Sequence, residues 1–521
     1  NTTYIILKKK RARTNKVFLV EFNGWQALHI IFSYVVDFFK HEKDCKIVAY
    51  ECYEILNRLD PPWYNKYLWK LGVFLNVRTF KIFRSFGTDK FLKPSFTNDQ
   101  ENKAIKITES FFKNKPNLQK LENFKIEKVW IGDLIYDSFL KKYYLTSIDI
   151  NSEKFKVFFK NSVKLCLFWK KYFDENEVLG VGATHAVYLL GIPLRIAQSK
   201  KIDCYSISGF NGDLINLVNS ISYKKKVNGV DIHHTFYKDI FSEFSYKQKI
   251  KNLISGKRIL ESYLFGKKKI FYMKNKKFNS NKKKIVINNK SSKIKVVIFS
   301  HDFIDSPHIY GNHFFTDFKK WFEFLDKIIK KTDYEWYIKV HPASNHITYK
   351  EVFRLKKSNK KLKILKKNFP NNYLQNLGIN FGLTVYGTIA AELARYGIRI
   401  INASKNNPHS EYNFSITPKN IKQYENLLLN LNKVKRKFKY KKNDLYSYHF
   451  VKNYITKNHL IFKNTNKFFE FKKKVPLRYT SKIYDYWLKD FDLRQHNSII
   501  NDMKNFIESK KYLTLNSIQK K

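Results

Sequence analysis

Two segments in the second half of the chain place polar residues directly after strand-like apolar runs. Residues 334–344 (YEWYIKVHPAS) end such a run at His341 and Pro342. Residues 383–397 (LTVYGTIAAELARYG) read as a strand, a Gly-Thr turn and a helix. Ligands bind at the carboxyl ends of the strands in a parallel α/β sheet. The two strand ends therefore predict a nucleotide site.

The Gly-Thr turn has the features of a phosphate-binding turn that opens a helix. Gly387 permits a tight backbone turn, and Thr388 is predicted to cap the following helix, 389–396. Gly397 supplies the stop signal for that helix. Amide groups at a helix start attract anions, and Glu392, one turn further along, could accept hydrogen bonds from a ribose. The alternative is a capped structural helix with a solvated Glu392.

The His-Pro pair supplies a second wall for the predicted site. Pro342 interrupts the strand ladder, so the ring of His341 is expected at the sheet edge, where it can meet a phosphate or a base. The alternatives are a histidine that bonds a backbone carbonyl and, for Lys339, a covered strand-edge lysine. His301, after the first strand of the same domain, is predicted to line the same cleft. The spacing of the nearby Asp and His residues matches no metal motif, so no metal site is predicted.

Candidates for the acceptor side lie in the first half of the chain. Asp133, spaced i, i+4 from Asp137 at a helix start, could act as a general base; helix capping is the alternative. His185 and Arg195 belong to one helix-like segment and could bind an anionic acceptor, with a solvated helix face as the alternative. Asn23 follows the first strand and is expected to face the same cleft.

The elements that must position these residues alternate between strands and helices. Residues 16–52 form a strand–turn–helix–strand pattern, and residues 294–404 repeat this succession. Between them, residues 274–293 are dominated by Lys, Asn and Ser, as in a linker. We predict an N-terminal domain over residues 1–273, a C-terminal domain over residues 294–475 and a helical tail over residues 476–521.

Composition limits the classes of function. The 521 residues carry a formal charge of +55, but 43% are hydrophobic, so the chain is expected to fold. The lysines are spread evenly, which favours codon bias over a nucleic-acid surface. Contact of this charge with an anionic membrane is expected only as a secondary use. Four cysteines form no disulfide or zinc pattern and point to a reducing cytoplasm. The apolar segment 25–39 is too short and too polar to span a bilayer.

The order SHDF, KVHP, VYGT, AELARYGI and INAS resembles the pattern of bacterial capsule and surface-polysaccharide glycosyltransferases of GT-B type. The VHP element is similar to the His-Pro motif shared by Kdo transferases, polysialyltransferases and glycerophosphate polymerases of teichoic acid synthesis. Fainter similarity extends to residues 131–138 and 184–197. Arg399 departs from the pattern, since such proteins commonly have a proline after the Gly-Ile pair.

The resemblance implies an α/β protein with two Rossmann-like, doubly wound domains that face a cleft, followed by the helical tail. The C-terminal domain would hold a CMP-, UDP- or GDP-linked sugar, without a metal or a tightly bound cofactor. His341 and Thr388 would contact the donor phosphate and Glu392 the ribose or sugar, while Asp133 or His185 would lie on the acceptor side. The remaining donor-side residues would be His301, Lys339, Pro342, Tyr386 and Gly387.

These observations predict a glycosyltransferase that acts on a polysaccharide or lipid-linked glycan at the cytoplasmic face of a bacterial inner membrane. Asn23 and Arg195 would bind this acceptor. There are two enzymatic alternatives: a transferase that moves glycerol phosphate from a CDP carrier and shares the His-Pro site, and a sugar-nucleotide epimerase on the same architecture, which needs no acceptor. A basic nucleic-acid-binding protein is the alternative of another class, and the even spread of lysines argues against it.

Overall fold

The computed structural model describes residues 15–24, 26–51, 64–184, 186–208, 216–219, 237–264, 292–342, 344–457, 471, 481–489 and 491–509. The described residues fall into two compact units. Unit 1 takes those within 1–142, 149–231 and 455–521, and unit 2 takes those within 143–148 and 232–454.

The strands are β1 (Lys16–Phe22), β2 (Lys46–Glu51), β3 (Lys90–Leu92), β4 (Lys125–Ile126), β5 (Val129–Trp130), β6 (Glu177–Ala183), β7 (Asp203–Ser208), β8 (Asn216–Asn219), β9 (Lys295–Phe299), β10 (Glu335–Lys339), β11 (Lys363–Ile364), β12 (Phe381–Thr384) and β13 (Arg399–Asn402). They build one six-stranded sheet in unit 1, one five-stranded sheet in unit 2 and a small antiparallel pair, β4–β5.

The α-helices of the first half are α1 (Gln26–His41), α2 (Asn65–Leu75), α3 (Thr79–Ser85), α4 (Asn98–Lys113), α5 (Leu118–Glu122), α6 (Gly132–Tyr143), α7 (Glu153–Glu175), α8 (Ile192–Ser199), α9 (Tyr237–Ser242) and α10 (Tyr246–Leu264). Those of the second half are α11 (Phe318–Lys331), α12 (His346–Ser358), α13 (Tyr373–Asn376), α14 (Ile389–Leu393), α15 (Ile421–Leu429), α16 (Leu431–Lys437), α17 (Lys442–Lys457), α18 (Lys482–Lys489) and α19 (Leu493–Ser509). The described residues also form two 3-10 turns, Tyr188–Gly191 and Ala394–Tyr396.

The sheet of unit 1 has the strand order of a doubly wound fold. From β1 the chain moves outward through β2 to β3, then returns to the other side of β1 and continues through β6, β7 and β8. All neighbouring strands run parallel except β7 and β8. The direction of winding therefore reverses between β1 and β6, which is where such sheets bind ligands.

The sheet of unit 2 repeats this design with five parallel strands. Its order is β11-β10-β9-β12-β13, so the winding reverses between β9 and β12. β9 (KVVIF) is buried along its whole length, as expected for a parallel strand covered on both faces. Helix α11 covers the sheet with six buried apolar residues: Phe318, Trp321, Phe322, Leu325, Ile328 and Ile329. The Asp317 carboxylate caps this helix by accepting from the Lys320 amide at 2.7 Å.

Two parallel sheets flanked by helices confirm the predicted α/β class with Rossmann-like units and a helical C-terminal region. The unit boundaries differ from the predicted domains. Helices α9 and α10 belong to unit 2, whereas α18 and α19 belong to unit 1 and do not form a separate tail. The reason is packing: Ile499, Met503 and Phe506 of α19 share one apolar core with Val35 of α1. Most of the predicted linker lies outside the described residues.

Candidate functional site

A cavity of about 690 Å³ opens at the carboxyl ends of β9, β10 and β12, next to the reversal point of the unit 2 sheet. Polar and aromatic side chains line it together. The eight residues that the sequence assigns to the donor side all contribute to its wall: His301, Lys339, His341, Pro342, Tyr386, Gly387, Thr388 and Glu392. The structure therefore brings this predicted set together, whereas their binding roles stay predictions.

His301 connects the two strands at the reversal point. Its Nε2 atom accepts a hydrogen bond from the Val385 amide at 3.1 Å and lies 3.0 Å from the Thr384 hydroxyl. An Nε2 atom that accepts from an amide carries no proton, so the neutral ring holds its proton on Nδ1. Burial, together with the nearby His341, lowers the pKa of His301 to about 3. The ring also stacks on Phe318 at a centroid distance of 4.7 Å.

The His-Pro segment is held against the end of β9. The Ser300 hydroxyl accepts from the His341 amide at 3.1 Å, while the Ser300 amide donates to the Lys339 carbonyl, also at 3.1 Å. These bonds continue the pairing of β9 and β10 by one residue beyond the ladder. The His341 side chain is exposed, as expected for a ring placed at the rim of the cavity. A histidine at the rim can contact a ligand while its ring stays in contact with water, so the contact carries no desolvation cost from burial in the protein interior.

A polar relay, formed by the hydrogen-bonded side chains of Lys339, Asn371 and Glu392, links β10 to α14 along the cavity wall. The Lys339 ammonium donates to the Asn371 side-chain oxygen, and the Asn371 amide donates to the Glu392 carboxylate at 3.2 Å. Burial raises the pKa of Glu392, and Lys452, Asn371 and Lys339 oppose this shift. Sequence reasoning missed Asn371, because an Asn after Phe-Pro in a loop carries no distinctive signal. The relay places a cation and a carboxylate on one cavity wall.

The turn before α14 differs from the predicted capping arrangement. Thr388 has helical backbone angles, φ −60° and ψ −13°, and its side chain makes no capping hydrogen bond. The prediction of a Thr388 cap was therefore wrong. A capping residue normally has extended angles, which direct its oxygen toward the first helix amides. The Thr384 hydroxyl instead accepts from the Gly387 amide at 3.0 Å. The predicted helix is α-helical over Ile389–Leu393 and continues as a 3-10 turn over Ala394–Tyr396, and its end at Gly397, with φ +72°, is confirmed.

Aromatic rings also line the cavity. The rings of Tyr310 and Tyr386 meet edge to face at 5.1 Å, and Phe369 is a further lining residue. The Tyr386 hydroxyl donates to the Ser306 carbonyl at 3.2 Å, which fixes its ring. A flat ligand such as a nucleobase can pack on rings of this kind. Neither Tyr310 nor Phe369 was predicted from the sequence, which is rich in aromatic residues throughout.

Two buried histidines lie near α14. His449 Nε2 lies 3.1 Å from the Ala391 carbonyl, and burial lowers the pKa of this ring to about 4. His409 is fully buried, and burial lowers the pKa of its ring to about 3. Lys452 opposes the protonation of both rings. Both imidazoles are therefore neutral at physiological pH.

In unit 1 the predicted base and the predicted acceptor-binding residue are partners. Arg195 Nη2 donates to Asp133 Oδ2 at 2.7 Å, and the two side chains are 5% and 2% exposed. The guanidinium also lies over the Trp130 ring, 4.5 Å from its centroid, and donates to the Trp130 carbonyl. A carboxylate that is buried and ion-paired is poorly placed to receive a proton from an acceptor. This geometry gives both residues a structural role as a buried ion pair, and their predicted roles as base and acceptor-binding group stay predictions.

The reversal point of the unit 1 sheet holds a buried glutamate that sequence reasoning missed. Glu21, near the end of β1, accepts from the Thr184 amide at 2.6 Å and from its hydroxyl at 2.5 Å. Asn23 follows as predicted, and its carbonyl lies 2.6 Å from His29 Nε2. The Asn23 side chain is buried, and its acceptor-binding role stays a prediction. His185 lies outside the described residues.

Within the described residues, no group of three or more His, Cys, Asp or Glu side chains is arranged to hold a metal ion. In the same part of the chain, every helix is too short or too polar to cross a bilayer.

Comparison with known proteins gives only distant structural likenesses. No protein-family model matches the chain, and no curated protein matches it. A β-Kdo transferase, KpsC of Thermosulfurimonas dismutans, is 12% identical with a TM-score of 0.33, covering 52% of this chain and 79% of its own. A glycosyltransferase from Rickettsia africae is 12% identical with a TM-score of 0.24. The match covers 92% of this chain and 100% of that protein.

A UDP-GlcNAc 2-epimerase from Neisseria meningitidis is 11% identical with a TM-score of 0.23, covering 82% of this chain and 95% of its own. At such identities and TM-scores these likenesses carry no statement about function. The case for a function therefore depends on the cavity itself.

Proposed function

We propose that this protein is a glycosyltransferase that takes a sugar from a nucleotide-activated donor bound in the unit 2 cavity. The acceptor would be a surface polysaccharide or a lipid-linked glycan. The observation that carries the proposal is the shared location of three kinds of group at one sheet reversal point: the Lys339–Asn371–Glu392 relay, the exposed His341 and the aromatic wall with Tyr386.

Each kind of group fits a different part of a nucleotide-activated sugar. The Lys339 ammonium, held by Asn371, offers positive charge to a phosphate, and His341 at the rim can add a further hydrogen bond. The Glu392 carboxylate accepts hydrogen bonds, which suits the hydroxyl groups of a ribose or a sugar. The rings of Tyr310 and Tyr386 offer an apolar surface for the base. A volume of about 690 Å³ lies within the range of small-molecule sites.

The chemical step would be displacement at the anomeric carbon of the donor. An acceptor hydroxyl forms the new carbon–oxygen bond as the bond to the phosphate oxygen breaks, and the nucleotide leaves with the electron pair. Lys339 and His341 would offset the charge that develops on the leaving phosphate. The hydroxyl proton passes to a base on the acceptor side, where the sequence prediction places Asp133 or His185. No cofactor is required by this scheme.

The direct test is ligand-induced stabilisation. We expect one of the CMP-, UDP-, GDP- or CDP-linked donors to raise the melting temperature, because a ligand that binds only the folded state stabilises it. His341→Ala and Glu392→Ala should remove this shift, whereas Phe353→Ser, at an exposed position of α12, should keep it. The absence of a shift with every donor would overturn the proposal. Product analysis then separates sugar transfer from glycerol phosphate transfer and from epimerisation.

A further inference from the structure

Helix α2 in unit 1 presents a stripe of large apolar side chains to solvent. These side chains are 50–82% exposed, with Phe74 the most exposed. The stripe consists of Tyr67, Leu68, Leu71, Phe74 and Leu75. At 3.6 residues per turn these positions occupy one face of the helix. A soluble surface helix normally turns such a face toward the core.

The opposite face of α2 is already anchored, so the stripe cannot turn inward. The Trp69 ring packs edge to face on Phe22, at the end of β1, and on Phe80 of α3, at 5.2 and 5.1 Å. Asn65 is buried on this side. Gly72 faces the Phe80 ring so closely that an added Cβ would lie 2.5 Å from it. The orientation of α2 is therefore set by packing within unit 1.

The segment that contains α2 and α3 carries charge of one sign. Residues 64–88 contain five basic side chains and no acidic one: Lys66, Lys70, Arg78, Lys81 and Arg84. All five are exposed. Lys66 and Lys70 lie one turn apart along one edge of the stripe, and their long stems can keep the ammonium groups at a polar boundary while the apolar residues go deeper.

We propose that α2 is a membrane-docking helix that lies in the plane of an anionic phospholipid bilayer. An apolar face bordered by lysines is the arrangement of interfacial helices, in which apolar side chains enter the acyl boundary and cations meet the lipid phosphates. A second copy of this chain fits less well. A two-fold contact through α2 would bring together two segments that each carry five cations and no acidic residue. This inference does not depend on the proposed donor site.

The test is binding of the full chain to sedimented vesicles of phosphatidylcholine with about 30% phosphatidylglycerol, in the range where anionic lipid attracts basic segments. We expect binding to these vesicles and about tenfold weaker binding to pure phosphatidylcholine. The double substitution Leu71→Ser/Phe74→Ser should weaken binding at least about tenfold, because it removes the apolar contribution. Lys66→Glu/Lys70→Glu should have a similar effect that disappears at high salt.

Two matched variants make the result specific to the stripe. Phe353→Ser removes an exposed aromatic residue of α12, and Lys433→Glu/Lys437→Glu reverses an exposed i, i+4 lysine pair of α16. Both should bind vesicles as the parent chain does. The proposal is overturned if the stripe variants bind as well as the controls. It is equally overturned if the parent chain does not bind the vesicles and instead self-associates through α2, which sedimentation velocity would detect.

Discussion

The His301 imidazole and the Val385 amide, 3.1 Å apart, join the ends of β9 and β12 at the point where the unit 2 sheet reverses its winding. The bond fixes the inner wall of the cavity. Because burial lowers the pKa of His301 to about 3, the ring is neutral at physiological pH. His301 therefore positions the strand ends as a neutral ring; in the proposed donor site the positive charge beside a phosphate would come from Lys339.

Replacing His301 with Phe should destabilise unit 2 while preserving ring packing on Phe318. The substitution removes the acceptor for the Val385 amide, and an unsatisfied buried donor costs about 1–3 kcal/mol. Urea unfolding measures this loss. Gln at position 301 can restore an acceptor and should recover part of the stability. Equal stability of the Phe variant and the parent chain would show that the hydrogen bond is not needed.

Acid should destabilise the fold through His409. This side chain is fully buried, and burial lowers its pKa to about 3 from the ordinary 6.5. A depressed histidine pKa contributes stability that is present above the unfolded pKa and is lost as pH falls toward the folded one. Between pH 7 and pH 5 the loss is about 2 kcal/mol. His409→Phe should lose correspondingly less over this interval in denaturant unfolding; an unchanged pH dependence would contradict the assignment.

Glu392 should show the opposite dependence on pH. Burial raises its pKa, so the folded chain holds this proton more tightly than the unfolded chain. The resulting stability is present below the ordinary Glu pKa and is lost as pH rises through the raised one. The Glu392→Gln variant should therefore have a higher melting temperature than the parent chain at pH 8. The difference between the two melting temperatures should be smaller at pH 4. The same variant should lose donor binding, since Gln accepts more weakly than a carboxylate.

The Asp133–Arg195 pair predicts a large loss of stability when it is broken. Removing one partner leaves the other charge buried, which costs about 3–5 kcal/mol. The variant Asp133→Leu/Arg195→Met should be less destabilised than the sum of the single changes, as a double-mutant cycle of unfolding free energies would show. A stable Asp133→Asn variant without turnover would instead support the general-base role that the sequence suggested.

Gly397→Ala isolates the effect of backbone conformation at Gly397, directly after the 3-10 turn that follows α14. Gly397 has φ +72°, and a Cβ there would meet nothing within 4 Å. The cost should therefore come from the left-handed conformation alone, about 1–2 kcal/mol. Gly397→Asn should cost less, because Asn tolerates this region better than Ala. Thermal unfolding of the two variants measures the difference, and a larger loss for Asn would refute the explanation.

The local pattern of the chain predicted much of unit 2 correctly. The apolar runs before Ser300, His341 and Val385 became β9, β10 and β12, and Gly397 ended the helix after β12. Their convergence was predictable because the carboxyl ends of parallel strands meet at one edge of a sheet. In contrast, the packing of α19 on α1 joins residues more than 450 positions apart, which no local period encodes.

The sequence by itself determined the class of the fold and the set of polar residues at the donor-side strand ends. Local periodicity and turn chemistry are sufficient for both. Only the tertiary structure decided which partner each polar group takes. It paired Asp133 with Arg195, linked Glu392 to Lys339 through Asn371, and left Phe74 in solvent. The physical reason is that burial and ion pairing depend on neighbours that are distant in the chain, whereas a strand or a helix depends on near ones.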